Sequence, residues 1–177
     1  MKGFLDSNPN ATYVTDFPDD LLYNHPQVII LPHLGASTEE AEDAAATMAA
    51  KTITRFLESG EIKNSVNFPE TLLDQRGDTT LRICVVNENK SGVLASILSL
   101  ISDSNLNVLQ QVNKSRGSIA YNVIDVEIDE LADGKFKSWA ELQEAITMID
   151  GVVSSRFMND VFGTGYAKKT EEGKYYV

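Results

Sequence analysis

The chain has 177 residues, 42% of them hydrophobic, and a formal net charge of −11. That length suits one ordinary domain or two small ones, and the acidity argues against nucleic acid or an anionic membrane as a partner. A single cysteine, Cys84, excludes an intramolecular disulfide framework and suits a reducing compartment; with two histidines and no second cysteine, no metal site is expected.

No apolar run approaches membrane-spanning length, and the opening MKGFLDSNPNATY has no signal-peptide core, so a cytoplasmic protein is expected. The acidic excess is concentrated in the first 78 residues, which suggests two units.

MKGFLDSNPN reads as irregular. The stretch 11-ATYVTDF-17 predicts a short strand ended by Pro18. Next, 27-QVIILP-32 is too short for a helix and apolar on both faces, the pattern of an interior strand in a parallel sheet. Residues 37–59 predict a long helix. Ser37 is placed to cap it with Glu40 as the return partner, the early acids complement the dipole, and Gly60 supplies the stop. Its stripe of Ala45, Met48, Ala49, Thr52, Ile53, Phe56 and Leu57 expects a packing partner. Residues 61–78 are charged and broken by Pro69 and Gly77, and read as a linker with Val66 and Phe68 docking.

From residue 79 the pattern predicts strand 79–86, helix 92–104, strand 107–115, a turn at Arg116–Gly117–Ser118, and strand 119–129. A helix over 138–149 and a strand over 151–160 follow. In 119-IAYNVIDVEID-129, Ile124, Val126 and Ile128 alternate with Asp125, Glu127 and Asp129, which predicts a strand with one solvated face. The order is βαββαβ, with helices on one face of a four-stranded antiparallel sheet. Residues 163–177 read as a mobile tail whose three tyrosines are free to dock.

His33 stands at the end of the second strand in 28-VIILPHLGASTEEAE-42, just ahead of a helix start. A lone histidine there is ordinarily bonded to nearby backbone. However, ligands of open α/β sheets bind at the carboxyl ends of strands, and an imidazole can exchange a proton near neutrality. Gly35 and Ala36 leave room for a close approach to the backbone. No G-x-G-x-x-G turn follows a strand, and there is no P-loop or Ser–His–Asp order; the only GTG, at 163–165, is out of context. His25, before Pro26, reads as solvated, and Cys84 as core.

The strings VTDFP, VIILPHLGASTEEAE, 64-NSVNFP-69 and 87-NENKSGVL-94 resemble the C-terminal part of the D-3-phosphoglycerate dehydrogenases. That family belongs to the D-isomer-specific 2-hydroxyacid dehydrogenases. The resemblance runs from residue 12 to about residue 160. It implies an α/β remnant of the nucleotide-binding domain over 1–36, made of short parallel strands leading into a long interdomain helix over 37–60. A linker over 61–78, an α+β ferredoxin-like βαββαβ ACT domain over 79–160 and a tail over 161–177 would follow.

The resemblance makes His33 the general acid/base of an NAD-dependent oxidation of 3-phosphoglycerate on the route to L-serine. It places Gly35 and Ala36 beside the nicotinamide. Asp16 holds the carboxamide if a one-residue register is allowed; otherwise it is a turn former. The segment carrying the glycine-rich turn, the catalytic arginine and the glutamate partner is not matched here, so the chain by itself is expected to be inactive. Asn87, Asn89 and Asn107 fall where relatives hold an amino-acid effector such as L-serine between two subunits. Asn87 stands in place of a histidine, and Ser91 in place of a proline. The alternative for Asn89 and Asn107 is ordinary loop capping. A homo-oligomer is expected, and the competing readings are a stand-alone amino-acid-binding ACT regulator or an oligomerisation module.

Overall fold

The computed structural model describes residues 1–77, 79–128, 135–159, 163–169 and 175–176, with side chains as far as residue 158. The chain divides into two compact units, Met1–Ala50 and Lys51–Val177.

In the first unit, α1 (Lys2–Ser7) occupies the stretch read as irregular. Lys2 donates to Asp6 one turn on at 2.8 Å, and Leu5 is buried. β1 (Tyr13–Thr15) and β2 (Val28–Ile30) pair in parallel, Tyr13 opposite Val28 and Thr15 opposite Ile30. The parallel pairing is as expected, but β2 is not interior: the sheet has two strands and Ile29, Ile30 and Leu31 are exposed. His25 is not solvated. Its side chain is almost fully covered, with Nε2 3.2 Å from Asp6 Oδ1 and Nδ1 accepting from the Gln27 amide at 3.3 Å. The Asp6 carboxyl is held below the usual carboxylate range by its bonds to Lys2 and His25. Sequence reading could not place Asp6 there, because α1 had no periodic signal to reveal it.

α2 (Glu39–Ser59) starts later than predicted. Thr38 Oγ1, not Ser37, accepts from the Ala41 amide at 3.2 Å, so the cap is shifted by one residue. No residue of α2 is buried.

In the second unit the elements run β3 (Thr80–Glu88), α3 (Val93–Asp103), β4 (Val108–Arg116), β5 (Ile119–Glu127), α4 (Trp139–Met148) and β6 (Val152–Asn159). Ser138 caps α4 by accepting from the Glu141 amide at 3.2 Å. The sheet order is β4-β5-β3-β6, continued by β7 (Gly163–Lys169) and β8 (Tyr175–Tyr176). Residues expected to be a tail therefore extend the sheet, β7 antiparallel to β6 with Ser154 opposite Lys168 and Asn159 opposite Gly163. Leu81, Ile83 and Val85 of β3, Ile124 and Val126 of β5, and Ile97, Ile101, Leu142 and Ile146 of the helices form one core. Both helices thus lie on one face.

The opposite face is the larger departure from expectation. Residues 120–126 are all buried, so β5 has no solvated side. Two things cover it. Asp125, predicted to face water, forms a two-bond pair with Arg82 (both contacts 2.7 Å), and Arg82 also donates to Ser59 O and Asp74 O at 2.9 Å. Burial disfavours the Arg82 cation, but its bonds to Asp125 outweigh this and raise its pKa. The segment after α2 covers the rest: Ile62 is buried with Cys84, Tyr121, Val123 and Met158, and Phe68 packs edge-on to Tyr121 at 6.3 Å. Phe68 docks as predicted, whereas Val66 is exposed. Ile62 and Thr71 bridge the two ends of this segment. Asp129 lies outside the described residues.

Gly60 joins α2 to this face at φ +76°, and a Cβ there would stand 2.6 Å from Cys84 Sγ. Gly60→Ala is expected to destabilise the fold by about 2–5 kcal/mol, combining left-handed strain of ~1–2 with overpacking of ~1–3. Adding Cys84→Ala should restore the overpacking part only. Urea unfolding measures both, and a Gly60→Ala variant as stable as the parent would disprove the close contact. Burial also pushes the Cys84 thiol up to about 11. Its alkylation by iodoacetamide at pH 8 should therefore run on the order of 100-fold slower than that of a free thiol, as its thiolate fraction dictates. A rate matching glutathione would contradict the buried placement.

Candidate functional site

β1 and β2 run parallel, so their carboxyl ends emerge side by side, the position where open α/β sheets present ligand-binding groups. Asp16 follows β1 directly and His33 follows β2 after Leu31 and Pro32; the Leu31 amide is tied to Thr15 O at 2.9 Å. This brings His33 Nδ1 to 3.4 Å from Asp16 Oδ2, with both side chains largely solvent-accessible. Phe17 packs edge-on against the imidazole, ring centres 5.6 Å apart. One nitrogen therefore faces a carboxylate, which favours an N–H on Nδ1 and leaves Nε2 open to exchange a proton with a ligand. Sequence reading named both residues but did not foresee their contact. The signal was available, since the two lie just past the ends of consecutive strands.

Gly35 and Ala36 are exposed, and a Cβ on Gly35 would meet nothing within 4 Å. No group of three or more His, Cys, Asp or Glu among the described residues is placed to hold a metal ion. No helix there is long and apolar enough to cross a membrane.

The three asparagines of the second unit are not brought together within one copy. Asn87 is buried on the helix-bearing side, where its Oδ1 accepts from Asn122 at 2.6 Å and its Nδ2 donates to Glu88 O at 2.8 Å. Asn113 in turn donates to Asn122 Oδ1, so an amide ladder runs from β3 across β5 to β4. Asn89 lies on the exposed loop after β3, its amide side chain donating to Gly117 O at 3.1 Å and its backbone to Ser118 O at 2.8 Å. Asn107 is exposed, and its side chain makes no hydrogen bond among the described residues. β4 and β3 are both antiparallel to β5 and hence share a direction. Asn89 ends one and Asn107 begins the other, so about 25–30 Å of strand separates them at roughly 3.3 Å per residue. The sequence pointed to Asn87 and missed its partners Asn113 and Asn122, which lie opposite each other in the β4–β5 register.

A scan against protein-family models finds no match. D-3-phosphoglycerate dehydrogenase 1 of Saccharomyces cerevisiae is 29% identical over 140 residues, 77% of this chain and 28% of that protein. The D-3-phosphoglycerate dehydrogenase of Dictyostelium discoideum is 38% identical over 112 residues, 63% of this chain and 27% of its own length. Over most of its length the chain is a homologue of the D-3-phosphoglycerate dehydrogenases. The Escherichia coli K12 dehydrogenase of that name is 28% identical over 131 residues, 74% of this chain and 30% of that enzyme. The chain thus spans less than a third of the length of these dehydrogenases. Among solved structures, the ACT domain from the GTP pyrophosphokinase of Chlorobium tepidum aligns with a TM-score of 0.38 and 18% identity, covering 46% of this chain and 100% of that one.

Proposed function

We propose that this chain is the acid/base and regulatory segment of an NAD-dependent D-3-phosphoglycerate dehydrogenase. The observation that carries the reading is the pairing of His33 with Asp16 at the carboxyl ends of adjacent parallel strands. NAD, when bound, supplies the hydride acceptor. His33 takes the proton of the 3-phosphoglycerate hydroxyl through Nε2 and returns it in the reverse direction. Asp16 orients the ring, while Gly35 and Ala36 allow the nicotinamide edge to approach. Proton transfer alone supplies roughly 10²–10⁴ of a rate enhancement; binding and hydride geometry must come from groups this chain lacks. By itself, then, the chain is inactive.

Residues 80–159 serve in this reading as an ACT-type regulatory module that works as a pair. β4 is an edge strand, and Val108 and Leu109 on it are exposed. Antiparallel pairing of β4 with a second copy about a two-fold axis reverses its direction. It carries the second copy's β4 start, with its Asn107, toward the end of the sheet where Asn89 lies. An amino acid bound there would meet two amides and the N-terminus of α3, which begins after Gly92 at φ +90° without a side-chain cap. Asn87, uncharged and engaged within the sheet, contributes no ionic contact. L-serine is therefore expected to bind weakly.

The test is a chimera in which this chain replaces the matching segment of the Escherichia coli dehydrogenase. Reduction of 3-phosphohydroxypyruvate by NADH should be retained in the chimera and absent from the isolated chain. A chimera that folds and binds NADH but does not turn over, or an isolated chain that does, would overturn the proposal. The competing reading, a regulator without catalytic ancestry, predicts the inert chimera.

A further inference from the structure

On the face of the sheet opposite α3 and α4, the end of α2, the following segment and the strands line a half-open cavity of about 450 Å³, with Ile53, Phe56 and Val153 on its exposed side. Its walls are Ile53 and Phe56 from α2, Phe68 from the segment, and Val86, Tyr121 and Val153 from the sheet. None of these belongs to the His33 site or to the asparagines of the second unit. The volume lies within the range of small-molecule sites, which run to roughly 300–1,000 Å³. A dry apolar cavity of about 150 Å³ already takes up benzene, so this one holds a body of roughly eight to twelve carbons.

Most of the polar groups around it are already engaged, while the buried Ser154 hydroxyl makes no hydrogen bond among the described residues. Arg156 donates to Phe56 O at 3.0 Å and to Leu57 O, and its guanidinium lies 5.5 Å from the Phe56 ring centre. Tyr121 donates to Gly60 O at 2.8 Å, and Thr52 accepts from Asn64 at 3.4 Å. Glu61, at the edge, accepts from the Leu73 amide at 3.2 Å and stands 3.8 Å from Arg55. A charge deep in the cavity would therefore find no ionic counterpart, and with only the Ser154 hydroxyl to spare, the buried part of a ligand must be largely apolar. The mouth differs. Lys63 lines it, is exposed, and has no ion-pair partner among the described residues.

We infer that this cavity is a binding site for a small amphipathic carboxylate, its apolar body against Tyr121 and Phe68 and its anionic end beside Lys63. The same contacts that shape the walls hold the last carbonyls of α2, so an occupant would bridge the helix end and the sheet and strengthen their attachment.

Decanoate is the probe, titrated calorimetrically into the full chain with decanol and butyrate alongside. One-to-one binding of decanoate in the micromolar range is expected, with a raised melting temperature, while butyrate, six methylenes shorter at about 0.8 kcal/mol each, should bind on the order of 1,000-fold more weakly or worse. Lys63→Ala should weaken decanoate by roughly two- to fivefold, the worth of an exposed ion pair, and leave decanol unchanged. Val153→Trp should fill the cavity and abolish binding of both. In the unaltered chain, nuclear Overhauser contacts from decanoate methylenes to the Tyr121 and Phe68 rings should appear, which keeps the inference testable if the tryptophan variant misfolds. No binding at 1 mM decanoate (a concentration about 100-fold above the expected range), or Overhauser contacts only to other residues, would overturn it.

Discussion

Arg82→Met is expected to destabilise the second unit by about 3–5 kcal/mol, because it leaves Asp125 as an uncompensated charge in a buried site. The pair is nearly sealed, Arg82 being 1% and Asp125 5% exposed. Its two direct bonds are only part of the effect. Arg82 also donates to Ser59 O at the end of α2 and to Asp74 O in the following segment, so one guanidinium ties two further parts of the chain to the sheet. Removing both charges, in Arg82→Met with Asp125→Leu, should cost well under the sum of the single changes, since no unpaired ion is left behind. The two freed carbonyls keep a residual cost of roughly 1–3 kcal/mol. Denaturant midpoints of the two single variants and the double variant give the coupling directly. Additive losses would mean that the pair is not an interacting one. The effect should also persist at high salt, unlike that of a surface ion pair.

That pair shows where the sequence could be read and where it could not. The order of elements predicted helices on one face of the sheet, and Ile124 and Val126, which alternate in β5, do join the helix-bearing core. Alternation in β5 was misleading for a physical reason. A polar residue every second position means a face that needs polar partners, and water is only one such partner. Here Arg82 stands opposite Asp125 in the β3–β5 register and takes that role. The segment 61–77 has no period to read, since its buried residues Ile62, Pro69 and Thr71 are held by a bridge and by contacts to distant strands. A cavity enclosed by such a segment leaves no mark in local pattern. The candidate site at His33 was more legible, because a strand end followed by a histidine and small residues is itself the geometry. Its carboxylate neighbour was found as a residue but assigned to the cofactor or to a turn, not to the imidazole.

Within an active chimera carrying this segment, His33→Ala should lower kcat by roughly 10²–10⁴ with little change in substrate KM, as loss of a general acid/base requires. Near-normal turnover would refute the role. Asp16 then separates two mechanisms. As a contact to the nicotinamide carboxamide, it would act on binding, and Asp16→Asn would raise KM for NADH while sparing kcat. As the group 3.4 Å from His33 Nδ1, it orients the ring, so its loss acts on the chemical step. The exposed setting of both side chains in this segment limits the Coulombic share to about 1 kcal/mol, roughly fivefold in rate, and orientation adds to that. We therefore expect Asp16→Asn to lower kcat by about tenfold at unchanged KM for NADH, and to have almost no effect once His33 is already Ala. An Asp16→Asn loss undiminished in the His33→Ala background would place Asp16 on the cofactor instead.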